Sequence, residues 1–168
     1  TKTITVVTTG NFVVAVTDAN GCTGVSAGKQ TTMVTPSSAT ISGNTTFCQG
    51  GNTILTASTG LSYLWNTGAT TKSTTVTTAG NYDVTVTYSG GCASTSTPTV
   101  VTVKSLPAAT ISSTGPTTVC QGDTVTLITL TNKSYLWNNG KTTQSITVVT
   151  TGNYSVAVTD SNSCTATS

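Results

Sequence analysis

Between Tyr82 and Tyr88 the chain alternates, with Tyr82, Val84, Val86 and Tyr88 set against Asp83, Thr85 and Thr87. A period of two belongs to a β-strand, whose successive side chains point to opposite faces, so one row is expected inward and the other toward solvent. The same inward row returns as Tyr154, Val156 and Val158, and again as Phe12, Val14 and Val16. Leu55 and Leu127 hold the inward phase of an earlier strand, while the neighbouring Ile54 becomes Thr126 in the later copy. Substitution that follows the pleat supports that phase. Trp65 and Trp137 stand two residues after Tyr63 and Tyr135, on one face of a third strand. The expected core is therefore Leu55, Trp65, Tyr82, Leu127, Trp137 and Tyr154. The Gly- and Asn-rich pieces "ANGC", "SGGC" and "SNSC" read as hairpin turns that tolerate a positive φ. No segment carries a helical period. Short strands with turn signals every ~8–12 residues predict an all-β protein built of β-sandwiches.

The pattern repeats along the chain. "SYLWNTGATTKSTTVTTAGNYDVTVT" begins at Ser62 and "SYLWNNGKTTQSITVVTTGNYSVAVTD" begins at Ser134. Cys48 and Cys120, Trp65 and Trp137, Tyr82 and Tyr154, and Cys92 and Cys164 are each 72 apart (120 − 48, for example). At the start of the chain, "TGNFVVAVTDANGC" (Thr9–Cys22) aligns with "TGNYSVAVTDSNSC" (Thr151–Cys164). The opening residues read as the middle of a strand pattern, so the expectation is three tandem units. Residues 1–35 are the C-terminal part of one repeat, 36–106 a complete repeat, and 107–168 a repeat lacking the end of its last strand. The joints fall near Pro36 and Leu106-Pro107, where proline interrupts the alternation. A unit of about 70 residues suits a small domain rather than one rung of a solenoid.

Composition narrows the function classes. Thr makes up roughly a quarter of the chain, where Leu, Ala and Glu are common in mixed globular proteins; a branched β-carbon suits a pleated surface. Only 6% of residues are charged, with no His and a formal net charge of +2. That charge provides no footprint for nucleic acid or an anionic membrane. No apolar run approaches the roughly 20 residues of a membrane span. A Ser nucleophile would have no His, and Asp18, Asp83, Asp123 and Asp160 are dispersed or fall at equivalent places of different repeats. The expectation is no catalysis and no cofactor. Asp18 and Asp160 at the hairpins are conceivable calcium ligands, but no cluster supplies the six to eight oxygens that calcium takes, so turn-making is the preferred role. Trp65 and Trp137 are expected in the core rather than stacked on sugars. "CQGG" and "YSGG" do not open helices, so they are turns and not phosphate cradles. Asn44, Asn132 and Asn153 head N-x-Ser/Thr sequons, which chance supplies freely in so Thr-rich a chain. Five cysteines, Cys22, Cys48, Cys92, Cys120 and Cys164, occupy repeat-equivalent positions without any His. They argue against zinc and for disulfides in an oxidising compartment.

A "CQGG" or "CQGD" turn before strand B, a Trp on strand C and "A/T-G-N-Y" before strand F resemble an immunoglobulin-like sandwich, the last of these its tyrosine corner. The combination "SYLWNTGATT…GNYDVTVT…GC" resembles the immunoglobulin-like and PKD-like repeats of very large Bacteroidota surface proteins, including gliding and adhesion proteins exported by the type IX system. The likeness covers essentially the whole chain. It departs from the immunoglobulin pattern where Val84 and Val156 stand in place of a strand-F cysteine. The resemblance implies tandem immunoglobulin-like β-sandwiches in an extracellular, cell-surface stalk or filament, and it names no ligand. "DTV" at Asp123–Val125 resembles the short O-glycosylation motif of that phylum, with Thr124 as acceptor; the plainer reading is a solvent-facing start to strand B.

Within that topology two cysteine pairings stay open. If a short return strand separates C from E, the AB turn and the FG hairpin lie at opposite ends of a sandwich. A six-residue strand spans roughly 20 Å, whereas bonded cysteines need α-carbons within about 7 Å. The preferred pair is then Cys48–Cys164 across the joint, with Cys22, Cys92 and Cys120 left for neighbouring repeats outside this stretch. If Ala69–Ser73 is only a turn, Cys48–Cys92 and Cys120–Cys164 become feasible.

The leading functional reading is a structural repeat segment of a long extracellular adhesin or filament, serving as a stalk for adhesion or gliding. Its partners would be neighbouring repeats, with a surface or polysaccharide ligand bound through other domains. The alternative is a carbohydrate-binding or spacer module of a secreted multidomain enzyme. Self-association of the Thr-rich outer faces, with Val13 exposed, is a third reading.

Overall fold

The computed structural model describes residues 2–35 and 37–168. Pro36, the expected first joint, lies outside the described residues. The protein is all-β; among the described residues the one helical element is a single 3-10 turn at Ser89–Gly91.

The N-terminal stretch is one long interrupted hairpin. Strands β1 (Gly10–Phe12), β2 (Ala15–Thr17), β3 (Thr23–Val25) and β4 (Lys29–Thr31) pair as β1 with β4 and β2 with β3, all antiparallel. Among the described residues no second layer faces it. The inward row expected there is consequently not buried: Val14 is 58% and Val16 61% exposed, and Phe12 is half-buried. The equivalent Val84 and Val86 are 0% exposed. The period is right in both places, but burial needs a facing sheet.

The middle part has two layers. Strands β5 (Ile41–Ser42), β6 (Thr46–Cys48), β7 (Thr53–Ala57), β8 (Ser62–Trp65), β9 (Ser73–Val76), β10 (Gly80–Tyr82), β11 (Val84–Thr87), β12 (Ala93–Thr95) and β13 (Thr99–Lys104) follow in order. One layer is β5-β7-β9; the other joins β8-β11-β12 to β10-β13-β6. Leu55, Ala57 and Val76 from the first layer meet Trp65, Tyr82, Val84, Val86 and Val101 from the second. Burial of such side chains is worth roughly 1.5–3 kcal/mol each. On the outer face the threonines face one another, as where Thr85 and Thr95 share a 2.9 Å hydroxyl hydrogen bond across β11 and β12. Cross-strand pairs of this kind account for part of the Thr content.

The C-terminal part repeats the arrangement with β14 (Ile111–Ser113), β15 (Val125–Thr129), β16 (Ser134–Trp137), β17 (Ser145–Val148), β18 (Val156–Thr159) and β19 (Thr165–Thr167). Its layers are β14-β15-β17 and β16-β18-β19, closing on Leu127, Trp137, Ile146, Val156 and Val158. A groove of about 850 Å³ lies between residues 117–123 and 148–154. Tyr154, expected in the core beside Tyr82, is therefore only half-buried.

Candidate functional site: a disulfide between two sandwiches

The path of the chain decides which cysteines can meet. In the middle sandwich β7 and β9 are antiparallel with Thr56 opposite Ser73, while β8 and β11 place Trp65 opposite Val84 and Ser62 opposite Thr87. Strand β8 thus runs away from the hairpin that joins β11 to β12, and β9 starts back at that end. Residues 66–72 must return along the sandwich, and they do so without forming a strand. The return is pinned by the Trp65 indole, which donates from Nε1 to the Thr71 carbonyl at 2.8 Å, and by the Ala57 amide donating to Lys72 O at 2.9 Å. Trp137 makes the same bond to Thr143, also 2.8 Å. Each indole is 1% exposed.

Cys48 ends β6, in parallel register with Lys104 at the far end of β13, and Gln49 N donates to Lys104 O at 2.8 Å. Cys92 precedes β12 at the other end of the same long strand. Twelve residues (104 − 92) separate Cys92 from the residue beside Cys48, which at about 3.3 Å per residue is roughly 40 Å. The pairs Cys48–Cys92 and Cys120–Cys164 are accordingly not formed. Instead Cys48 is bonded to Cys164 of the C-terminal sandwich, with α-carbons 5.6 Å apart at a sequence separation of 116.

Cys164 reaches that position through its hairpin. Asp160 Oδ1 accepts from Asn162 N and Cys164 N, both at 2.9 Å, and Ser163 N donates to Asp160 O at 3.1 Å. The Cys164 amide bond holds the Asp160 carboxyl below the usual carboxylate range against the opposing effect of burial; Asn162 and the positive charge of Lys104 across the joint add to the lowering. The N-terminal hairpin repeats the geometry, with Asp18 Oδ1 accepting from Asn20 N and Cys22 N. Both aspartates thus act as turn acceptors. Among the described residues no group of three His, Cys, Asp or Glu could hold a metal.

The other cysteines are free, Cys22 and Cys120 exposed and Cys92 half-buried. Cys92 sits at the earlier joint, where its Sγ donates to Val34 O at 3.4 Å. Thr124 is exposed, directly before β15. Leu55 is buried, as are Leu127 and Tyr82; the Tyr82 and Tyr154 hydroxyls donate to Thr78 O at 3.0 Å and Thr150 O at 2.9 Å.

Several supporting residues escaped the sequence reading. Asn66 and Asn138 each donate from Nδ2, at 2.8 Å, to the carbonyls of Asn81 and Asn153, tying the turn after the Trp strand to the "GNY" segment. Their recurrence after each Trp was the available signal. Lys104 has no such marker, since the equivalent of the joint lysine in the N-terminal stretch is apolar. No protein-family model and no curated protein matches the chain.

Proposed function

We propose that the chain is a load-bearing repeat segment of a long extracellular adhesin or filament, built of immunoglobulin-like sandwiches and serving as a stalk for adhesion or gliding. The observation that carries this reading is the Cys48–Cys164 bond, which links two sandwiches of one 72-residue pattern rather than closing either one. A disulfide of this kind belongs in an oxidising compartment. An interdomain contact of ordinary size permits relative motion; a covalent link beside the second joint restricts it. The buried indoles offer no face to a sugar, so the carbohydrate-binding alternative loses its best residues. Large Bacteroidota surface proteins remain the class that the repeat resembles, with the ligand held by other domains.

An antibody raised against the purified chain tests the location. It should label intact, unpermeabilised cells of the source organism, and deleting the coding stretch should weaken surface attachment or gliding. Labelling that appears only after permeabilisation would rule the reading out.

A further inference from the structure

We infer that the Cys48–Cys164 disulfide is a mechanical bypass that takes residues 49–163 out of the load path when the chain is pulled from its two ends. The inference deepens the stalk reading and depends on it for biological use, but the bypass is a property of the chain alone. Tension entering through the N-terminal stretch reaches Cys48, crosses one covalent bond, and leaves from Cys164. Nearly everything that makes the two cores lies between those points: Leu55, Trp65, Val84 and Val101 of the middle sandwich, and Leu127, Trp137 and Val156 of the C-terminal one. A sandwich in an ordinary tandem array unfolds and lengthens when force exceeds its resistance. Here, opening either core frees only the short outer pieces, β5 and β6 before Cys48 and β19 after Cys164, because the covalent path between the cysteines is already short.

The position of the bond within the fold matters as much as its existence. A bond closing one sandwich shields that sandwich alone and leaves the joint to be stretched. The bond observed also encloses Leu106-Pro107, the connection between the sandwiches, which then carries no tension. Cys92 and Cys120 both fall inside the loop, one at each outer flank of that connection. Cys120 is the 72-residue counterpart of Cys48 and Cys92 that of Cys164. Bonds of the same geometry made by those two would begin inside the first loop, so successive loops would interleave instead of standing in series.

Single-molecule pulling on the complete chain, held by handles at its two ends, reads the bypass as concealed length. Loss of the bond should release 115 residues (163 − 49 + 1), about 400 Å at roughly 3.5 Å per residue. Oxidised molecules should show none of that gain. Dithiothreitol, which donates two electrons and two protons to return both thiols and itself closes to a cyclic disulfide, should restore it on the same molecules. A C92S/C120S double variant, unable to form the within-sandwich pairs, should conceal the same length. The pairs Cys48–Cys92 and Cys120–Cys164 would hide only 86 residues (43 + 43), about 300 Å by the same measure. That value, or full extension of the oxidised double variant, overturns the inference. The location of the protein on the cell is read separately by the antibody, so a chain that conceals 400 Å but never reaches the surface would sink the stalk and leave the bypass standing.

Discussion

The middle and C-terminal sandwiches form a substitution experiment laid out within one chain. The Trp strand, the return segment and the hairpin aspartate or its replacement occupy matching places 72 residues apart, as at Trp65 and Trp137. Both indoles donate to a carbonyl six residues on, both are almost fully buried, and each stands opposite a fully buried valine on the neighbouring strand, Val84 or Val156. The differences fall elsewhere. The middle core includes Val101 of β13 and a buried Tyr82, while Tyr154 is half-buried against the C-terminal core. Ala57 is replaced by Thr129, and Gly91 by Ser163. One architecture therefore accommodates a buried hydroxyl at Thr129 and a non-glycine residue of positive φ at Ser163 beside the same Trp anchor.

Removing that anchor should have the largest effect. Trp65→Ala and Trp137→Ala should each cost about 3–5 kcal/mol of the stability of their own sandwich, measured by urea unfolding followed through amide signals of that sandwich's own strands. A loss of under about 1 kcal/mol in either variant would mean that the indole does not anchor its sandwich.

The second contrast concerns one atom. Ala57 and Thr129 are both buried opposite an isoleucine, Ile41 and Ile111. The Thr129 hydroxyl is the buried side-chain polar atom without a hydrogen-bond partner among the described residues. Thr129→Val keeps the shape and removes the oxygen, so it should stabilise the C-terminal sandwich by about 1–2 kcal/mol. A rise in the denaturation midpoint with an unchanged slope is the expected result; a fall would mean that the hydroxyl has a partner in solution.

How much of this was legible in the sequence depends on whether a feature is periodic or relational. Leu55, Trp65 and Val84 announced themselves because alternation writes the inward phase into the residue types. The same logic misjudged Val14 and Val16, whose phase is correct but whose burial depends on a layer that the pattern cannot supply. The cysteine pairing turned on whether residues 66–72 travel back along the sandwich. They carry no strand signature, and only the register of β8 and β9 reveals their direction. Lys104 gains its place beside Cys48 from parallel pairing of distant strands, which local pattern does not encode. Asn66 and Asn138 were visible as repeats but not as hydrogen-bond donors.

A smaller effect is expected at the hairpin tip. Gly21, Gly91 and Ser163 hold one position and all have positive φ, at 85°, 76° and 65°. The third central residue of such a loop sits in the left-handed region, where a β-carbon is penalised by roughly 1 kcal/mol or more. Glycine's entropy in the unfolded chain offsets part of that gain. Ser163→Gly should therefore stabilise by only about 0.5 kcal/mol, detectable as slower exchange of the Cys164 amide, and no gain would mean that the serine side chain compensates the turn.

The least effect, and the most specific, is acid sensitivity of one hairpin and not the other. The middle hairpin carries Tyr88 where the C-terminal one carries Asp160, so only the latter holds its turn with a carboxylate. The Cys164 amide is the largest cause of the lowering of the Asp160 carboxyl, with Asn162 and Lys104 adding to it and burial opposing it. A carboxyl lowered in the folded state contributes stability that is present above its unfolded value and is lost as pH falls through the folded one. From neutrality down to the ordinary carboxylate range the hairpin should be unchanged, and its hold on Cys164 should fade only below that range. In an acid titration followed by NMR, the Asn162 and Cys164 amides should shift together at a pH below that of an unperturbed aspartate, while the Cys92 amide stays still. High salt, by screening the contribution of Lys104 across the joint, should move that midpoint slightly upward. A midpoint at or above the ordinary value would mean that the carboxylate does not hold the cysteine loop, and the two hairpins would then differ in sequence without differing in mechanism.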